Sequence, residues 1–529
     1  MKTRAKGWLR LVAGVTWSAV ATLVLALGVW PATAEDGEAL YQENCAVCHG
    51  ADFGGYIGPA LNRQSLRRMT EAQIVAKAKT GGVGTLMPPH PTFFGKLSKS
   101  EIAAVASFVK SQDTKALSWS IDDITVSLTV LVGDEAGLPR EPTYRIDDMD
   151  DLMAVMARGR YAAGKEAKVI FFDGRSNRRV GEISTDHAPH LLAYHPLDER
   201  WAYVLTDAGY LLKIDLYSLQ AVRRVRIGLN SASLAMSRDG RYVAAGSFVP
   251  NSAVILDAVT LEPLKFFHLR GVDPDGHMVE SDSGFILGTP FADYFVIALK
   301  QAGQVWIVDL SDPTFPVTKV GNVGRRLHDA FRSPDGRHLA IASYDDDVIA
   351  ILDLETKQVI KRLPAGRQPH VGSGAVIQVH GRTLGIGTNI GISIEDRHFV
   401  TVFDMDTFEV VKQIRVEGPT ESPAAHPKAP FIVVDIVGTS KRAAKIQAID
   451  KTTLEVVKTI SVGGHSHFPE YTARGDYLYV SAGYRGDKVV IYRASDLKKV
   501  DSFSIEVPAG IFSHARSRTV AVGLERRPK

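Results

Sequence analysis

A short apolar run closed by a turn-forming residue returns through most of this 529-residue chain. In order the copies are Phe171-Phe172-Asp173, Lys213-Ile214-Asp215, Ile255-Leu256-Asp257, Ile307-Val308-Asp309, Ile351-Leu352-Asp353, Val402-Phe403-Asp404, Ala448-Ile449-Asp450 and Ile491-Tyr492-Arg493. Successive third residues stand 42, 42, 52, 44, 51, 46 and 43 positions apart. A period of that length accommodates one four-stranded sheet, and such sheets bury their faces only by packing against copies of themselves. Eight copies therefore predict an all-β eight-bladed propeller over 161–529. Turns such as Ser237-Arg238-Asp239-Gly240 and Ser333-Pro334-Asp335-Gly336, each followed by an alternating strand, mark a second fixed point in the repeat. The recurring aspartates are turn punctuation rather than catalysts.

Aligning that turn between blades places the residue six before it near the start of the innermost strand, beside the propeller axis. His190, His328 and His467 fall there, with Glu421 and Ala232 in two other blades, and His370 heads a comparable strand. One such histidine would be a hydrogen-bonded core residue. Several at equivalent places converge on one mouth of the channel, where imidazoles can ligate iron or carry protons near neutral pH.

The N-terminal third carries different chemistry. Cys45-Ala46-Val47-Cys48-His49 has the spacing of a covalent haem c site: two thiols to form thioethers and an adjacent imidazole to ligate the iron. These are the only two cysteines, so no second pair exists to complete an all-thiolate zinc site. Residues 35–115 read as a small all-α cytochrome c domain. A helix leads into the motif, and Ser98-Lys99-Ser100-Glu101 is a capping box opening a second helix. Met87, ahead of Pro88 in a loop, is the expected second axial ligand, with Met69 and His90 as competitors. Glycines 54, 55 and 58 suit a loop passing close to a porphyrin edge. Residues 116–160 are expected to be linker and edge segment.

Lys2, Arg4, Lys6 and Arg10, an apolar run and Ala32-Thr33-Ala34 form a secretory signal over 1–34, with an uncleaved anchor as the rival reading. Export to the periplasm agrees with covalent haem attachment, and small periplasmic redox proteins are the expected electron partners. Without those four basic residues the formal charge of +3 becomes −1, which gives no electrostatic reason to bind nucleic acid. A homodimer is left open.

A haem c domain followed by an eight-bladed propeller with these histidines resembles the cytochrome cd1 family across nearly the whole mature chain. The resemblance implies a non-covalent d1-type haem, with His190 as its proximal ligand and His187 as the local competitor. It implies His328 and His370 over the opposite face as the catalytic pair. Two activities occur in such proteins: reduction of nitrite to nitric oxide, and oxidation of a propionate of dihydro-haem d1 to an acrylate. The strands Leu191–Tyr194 and Val204–Asp207 lack the arginines that would pair with d1 carboxylates, which implies a haem held loosely and released. Ala365–His370, Gly385–Gly391 and Pro508–Phe512 also resemble the maturation branch more than the reductase. Oxidation is therefore the preferred expectation, with nitrite reduction and non-enzymatic haem carrying as alternatives.

Overall fold

The computed structural model describes residues 34–522, apart from 52, 54–59, 67–68, 81–86, 88–96, 113–118, 160–165, 392–397, 438–443 and 484–485. The leader, His90 and glycines 54, 55 and 58 lie outside the described residues.

Eight four-stranded antiparallel sheets form the propeller. Each apolar run predicted from the repeat is the end of its blade's third strand, from Lys168–Asp173 to Lys488–Arg493. The closing aspartate turns the chain by accepting hydrogen bonds from backbone amides two or three residues on. Asp257 receives Val259 and Thr260 N–H at 2.8 Å, and Asp450 receives Thr452 and Thr453 N–H at 2.9 Å. In the eighth copy Arg493 ends the strand and Asp496 takes that duty, accepting from Lys498 N–H at 3.0 Å. The second marker is a tight turn whose glycine needs a left-handed backbone. Gly240 and Gly336 both have φ of 76°, and their N–H groups bond back to Ser237 and Ser333 carbonyls.

The ring closes with strands from both ends of the chain. Pro508–Ser513 is the innermost strand of a blade whose other members are Leu152–Ala157, Lys168–Asp173 and Arg178–Ser184. The propeller thus begins at Leu152 and takes in residues that the boundary at 161 assigned to linker. An unbroken apolar strand buried on both faces carries no alternation to announce it, and all six of its residues are buried. Before it, Thr129–Val130 adds a fifth strand beside Gln220–Arg226. Helix Ile121–Ser127 buries Ile124 against the neighbouring blades.

The small domain is helical. Ala34–Asn44 packs on Lys99–Ser111 around Tyr41, Leu66, Phe108 and Val109. The capping box forms as the sequence required, with Glu101 N–H donating to Ser98 Oγ and Ser98 N–H to the Glu101 carboxylate. Phe108, buried among them, would cost about 3 kcal/mol or more on truncation to Ala. The haem motif follows directly as the short helix Ala46–His49. Ala60 packs on Leu229 and Val249 of the propeller, joining the two domains at the channel mouth.

Candidate functional site

His190, His328, His370 and His467 are each the second residue of a first strand: Pro189–Tyr194, Leu327–Arg332, Pro369–Val379 and Ser466–Tyr471. Equivalent register puts all four at one end of the channel, and all four line a single cavity of about 1900 Å³. Cys45, Cys48, His49 and Met87 of the small domain line it too. Apolar walls come from residues such as Leu234, Met236, Phe285 and Phe331. A large apolar hollow with a few converging polar groups suits a flat tetrapyrrole.

The residues at the haem motif fit a covalent haem. His49 is buried, and burial pushes Cys45 up to about 12 and Cys48 to about 11, with Cys48 adding to the effect on Cys45. Two thiols at this spacing beside a buried imidazole suit thioether attachment of a haem whose iron the imidazole ligates. Met87 shares the cavity with them, whereas Met69 packs into the small domain's core with Leu66 and Phe108.

On one wall Asp207 Oδ1 lies 2.9 Å from His190 Nδ1, and Arg158 Nη1 lies 3.3 Å from Asp207 Oδ2. Burial raises the Asp207 carboxyl, but Arg158 and His190 prevail and hold it below the usual range. A carboxylate on Nδ1 leaves Nε2 as the nitrogen available to iron. His187, the competitor, is stacked on Tyr210 with ring centres 4.8 Å apart and does not line the cavity.

Opposite stand His328 and His370, ring centres 5.0 Å apart. Asp329 serves both, its Oδ1 3.6 Å from His328 Nδ1 and its Oδ2 3.2 Å from His370 Nδ1. His370 Nδ1 is also 2.8 Å from the Glu421 carbonyl, to which it can donate. The two imidazoles are held in different states. Burial and the neighbouring Lys300 drive His328 down to about 3, so it is neutral. Burial also lowers His370, but Asp329 and Glu421 outweigh it and raise its pKa above the ordinary value. Beyond them His467 Nδ1 lies 2.8 Å from Glu421 Oε2. Burial opposes ionisation of Glu421, yet His467 brings it down to about 2, while burial and Glu421 lift Asp435 to about 6.

The strands Pro189–Tyr194 and Trp201–Thr206 carry no arginine, as read from the sequence. The inference that the cavity is poor in guanidinium groups is corrected: Arg158, Arg326, Arg332, Arg474, Arg516 and Arg518 line it from other blades and from the C-terminal segment. Adjacent strands were the wrong place to look, because a channel mouth gathers side chains from every blade.

Asp207, Asp329, Lys300 and Tyr344 escaped sequence reasoning. Three of them share a register that could have revealed them: each directly follows a second strand, namely Trp201–Thr206, Tyr294–Leu299 and His338–Ser343. Antiparallel pairing returns those strand ends to the mouth where the first strands begin.

Fold and cavity together define a haem protein with a tetrapyrrole-binding propeller behind a cytochrome c domain. The family model described as Cytochrome D1 heme domain matches residues 147–517, and the chain belongs to that family. Residues 32–109 match the model for Cytochrome C oxidase, cbb3-type, subunit III, in keeping with covalent haem c. The chain is 29% identical over 482 residues to a dihydro-heme d1 dehydrogenase of Pseudomonas aeruginosa, covering 90% of this chain and 93% of that one. Similarity to a nitrite reductase of Stutzerimonas stutzeri is 26% over 366 residues, covering 65% and 63% of the two chains. A solved structure of dihydro-heme d1 dehydrogenase NirN in complex with DHE superposes with a TM-score of 0.74 at 28% identity, covering 91% of this chain and all of that one. Both cofactors expected from the sequence, covalent haem c and a d1-type haem, agree with these matches.

Proposed function

We propose that this protein is a dihydro-haem d1 dehydrogenase acting in the periplasm, with the tetrapyrrole as its substrate. The observation that carries this reading is the pair over the cavity, ring centres 5.0 Å apart on a shared Asp329: burial and Lys300 keep His328 neutral, whereas Asp329 and Glu421 favour the cationic form of His370. Nitrite dehydration calls on proton donors. Turning a propionate into an acrylate calls on a base for a C–H proton and a cation to steady the carboxylate. The pair supplies one of each.

His190, oriented by Asp207, is the iron ligand on the proximal wall. His328 accepts the proton from the carbon next to the carboxylate, and His370 donates a hydrogen bond to the carboxylate as charge develops there. Forming the double bond removes two electrons and two protons; the second proton leaves through the same imidazole after the first has passed to water. A covalent haem held by Cys45 and Cys48, with His49 and Met87 as its ligands, would supply a one-electron acceptor, emptied by a small periplasmic redox protein between the two electrons of each turnover. Apolar walls keep bulk water from the reacting carbon.

Anaerobic mixing with dihydro-haem d1 tests the reading. The expected result is conversion to the d1 absorption spectrum with reduction of two haem c per substrate oxidised, and full conversion of one substrate per protein once a chemical one-electron oxidant is added. Bound substrate that stays unchanged, or nitric oxide formed from nitrite by the d1-loaded protein, would overturn it.

A further inference from the structure

Among the described residues, Lys300 is the cavity-wall cation that is neither exposed nor held by a hydrogen bond or ion pair. The six arginines are occupied: Arg158 by Asp207, Arg326 by Asp345, Arg474 by Asp151, Arg516 by Glu470, Arg518 by Asp150 and Arg332 by the Gly288 carbonyl. Lys451 donates to the His426 carbonyl, while Lys77 and Lys428 are solvent-exposed. Lys300, half-buried, makes no hydrogen bond or ion pair through its ammonium among the described residues. Two rings flank it, Nζ standing 5.8 Å from the centre of Tyr344 and 6.0 Å from that of Phe248, and Asp282 and Asp329 act on its charge without an ion pair to it. The same Tyr344 ring carries His328, stacked on it at 4.4 Å and nearly parallel, at 8°.

We infer that Lys300 binds the carboxylate of the substrate side chain that is oxidised, and so sets which propionate is presented to His328. Burial disfavours the ammonium more than Asp282 and Asp329 favour it, and a carboxylate in the cavity would supply the direct partner it lacks. Tyr344 fixes both groups to one platform, so a side chain whose end is held by Lys300 has its methylene carbons beside the His328 ring. The pairing also acts on the base. Burial first, and then the Lys300 charge, keep His328 weakly basic; once a carboxylate neutralises that charge, the imidazole gains basicity with the substrate in place. This inference rests on the dehydrogenase reading and adds the anchor for its substrate.

Spectroscopic titration of the full-length holoprotein with dihydro-haem d1, and separately with its methyl-esterified form, tests it. Lys300→Met keeps the length and apolar stem; Lys300→Arg keeps the charge. The expected result is a loss of about ten- to hundredfold in affinity for the free acid in Lys300→Met, with most of it restored in Lys300→Arg. Esterification should cost wild type that factor beyond what it costs Lys300→Met, the signature of a direct pair. Affinity of Lys300→Met within twofold of wild type, or an equal cost of esterification in both, would overturn the anchor alone. Wild type that fails to bind dihydro-haem d1 at all would overturn the dehydrogenase reading with it.

Discussion

Asp207 Oδ1 stands 2.9 Å from Nδ1 of His190, with Arg158 behind it, so the imidazole enters the cavity already oriented. A ligand whose second nitrogen is held by a carboxylate is fixed in tautomer and rotation, and its basicity toward a metal rises.

His190→Ala is accordingly expected to abolish stable binding of the d1-type tetrapyrrole while leaving the covalent haem spectrum unchanged. Asp207→Asn should weaken binding by about ten- to hundredfold, since only the orienting partner is lost. Titration followed by absorption checks both.

The pH dependence of the oxidation follows from the unequal histidine pair. In the substrate-free protein His328, brought down to about 3, is neutral throughout the range from pH 5 to 8. His370 is raised above the ordinary 6.5, and Asp329 and Glu421 are the carboxylates that face it. Its protonated form therefore persists to higher pH than that of an ordinary imidazole and is lost as pH rises through the elevated value. Single-turnover rates should fall on the alkaline side, and His370→Gln should lower the plateau rate and remove that fall.

Acid stability should report Glu421. Its folded value of about 2 lies below the ordinary 4.5, so its contribution is complete above 4.5 and is lost as pH falls from there through about 2. Glu421→Gln leaves His467 without its partner and should destabilise the protein at pH 7 by about 3 kcal/mol. Melting curves of the two proteins should draw together as pH falls from 4.5 towards about 2.

Closure of the propeller depends on Pro508–Ser513, whose Ile511 is 1% exposed. Ile511→Ala should cost about 2–4 kcal/mol, and Ile511→Asp should prevent folding of the ring, because a lone carboxylate has no partner in that core. Thermal unfolding and soluble yield check these.

Much of this architecture was legible because a propeller repeats its own turn chemistry. Asp257, Asp353 and Asp404 are visible in sequence as turn formers, and they mark strand ends in three dimensions for the same reason. The histidines at 190, 328, 370 and 467 were legible through that register. What it did not reveal were residues such as Lys300 and Asp207, which serve the site from second-strand ends where no motif distinguishes them. Leu152–Ala157 was missed because a strand buried on both faces reads as a plain apolar run. Met87 could be chosen over Met69 on its proline neighbour, while the cavity it shares with Cys45 and His49 required the fold.

The most direct test of the account is a crystal structure of the full-length holoprotein with dihydro-haem d1. The account predicts the macrocycle in the channel-mouth cavity, its iron bonded to His190 Nε2 and one propionate chain against His328 and His370. Iron bonded to His187, or a macrocycle lying outside the hollow shared by these histidines, would contradict it.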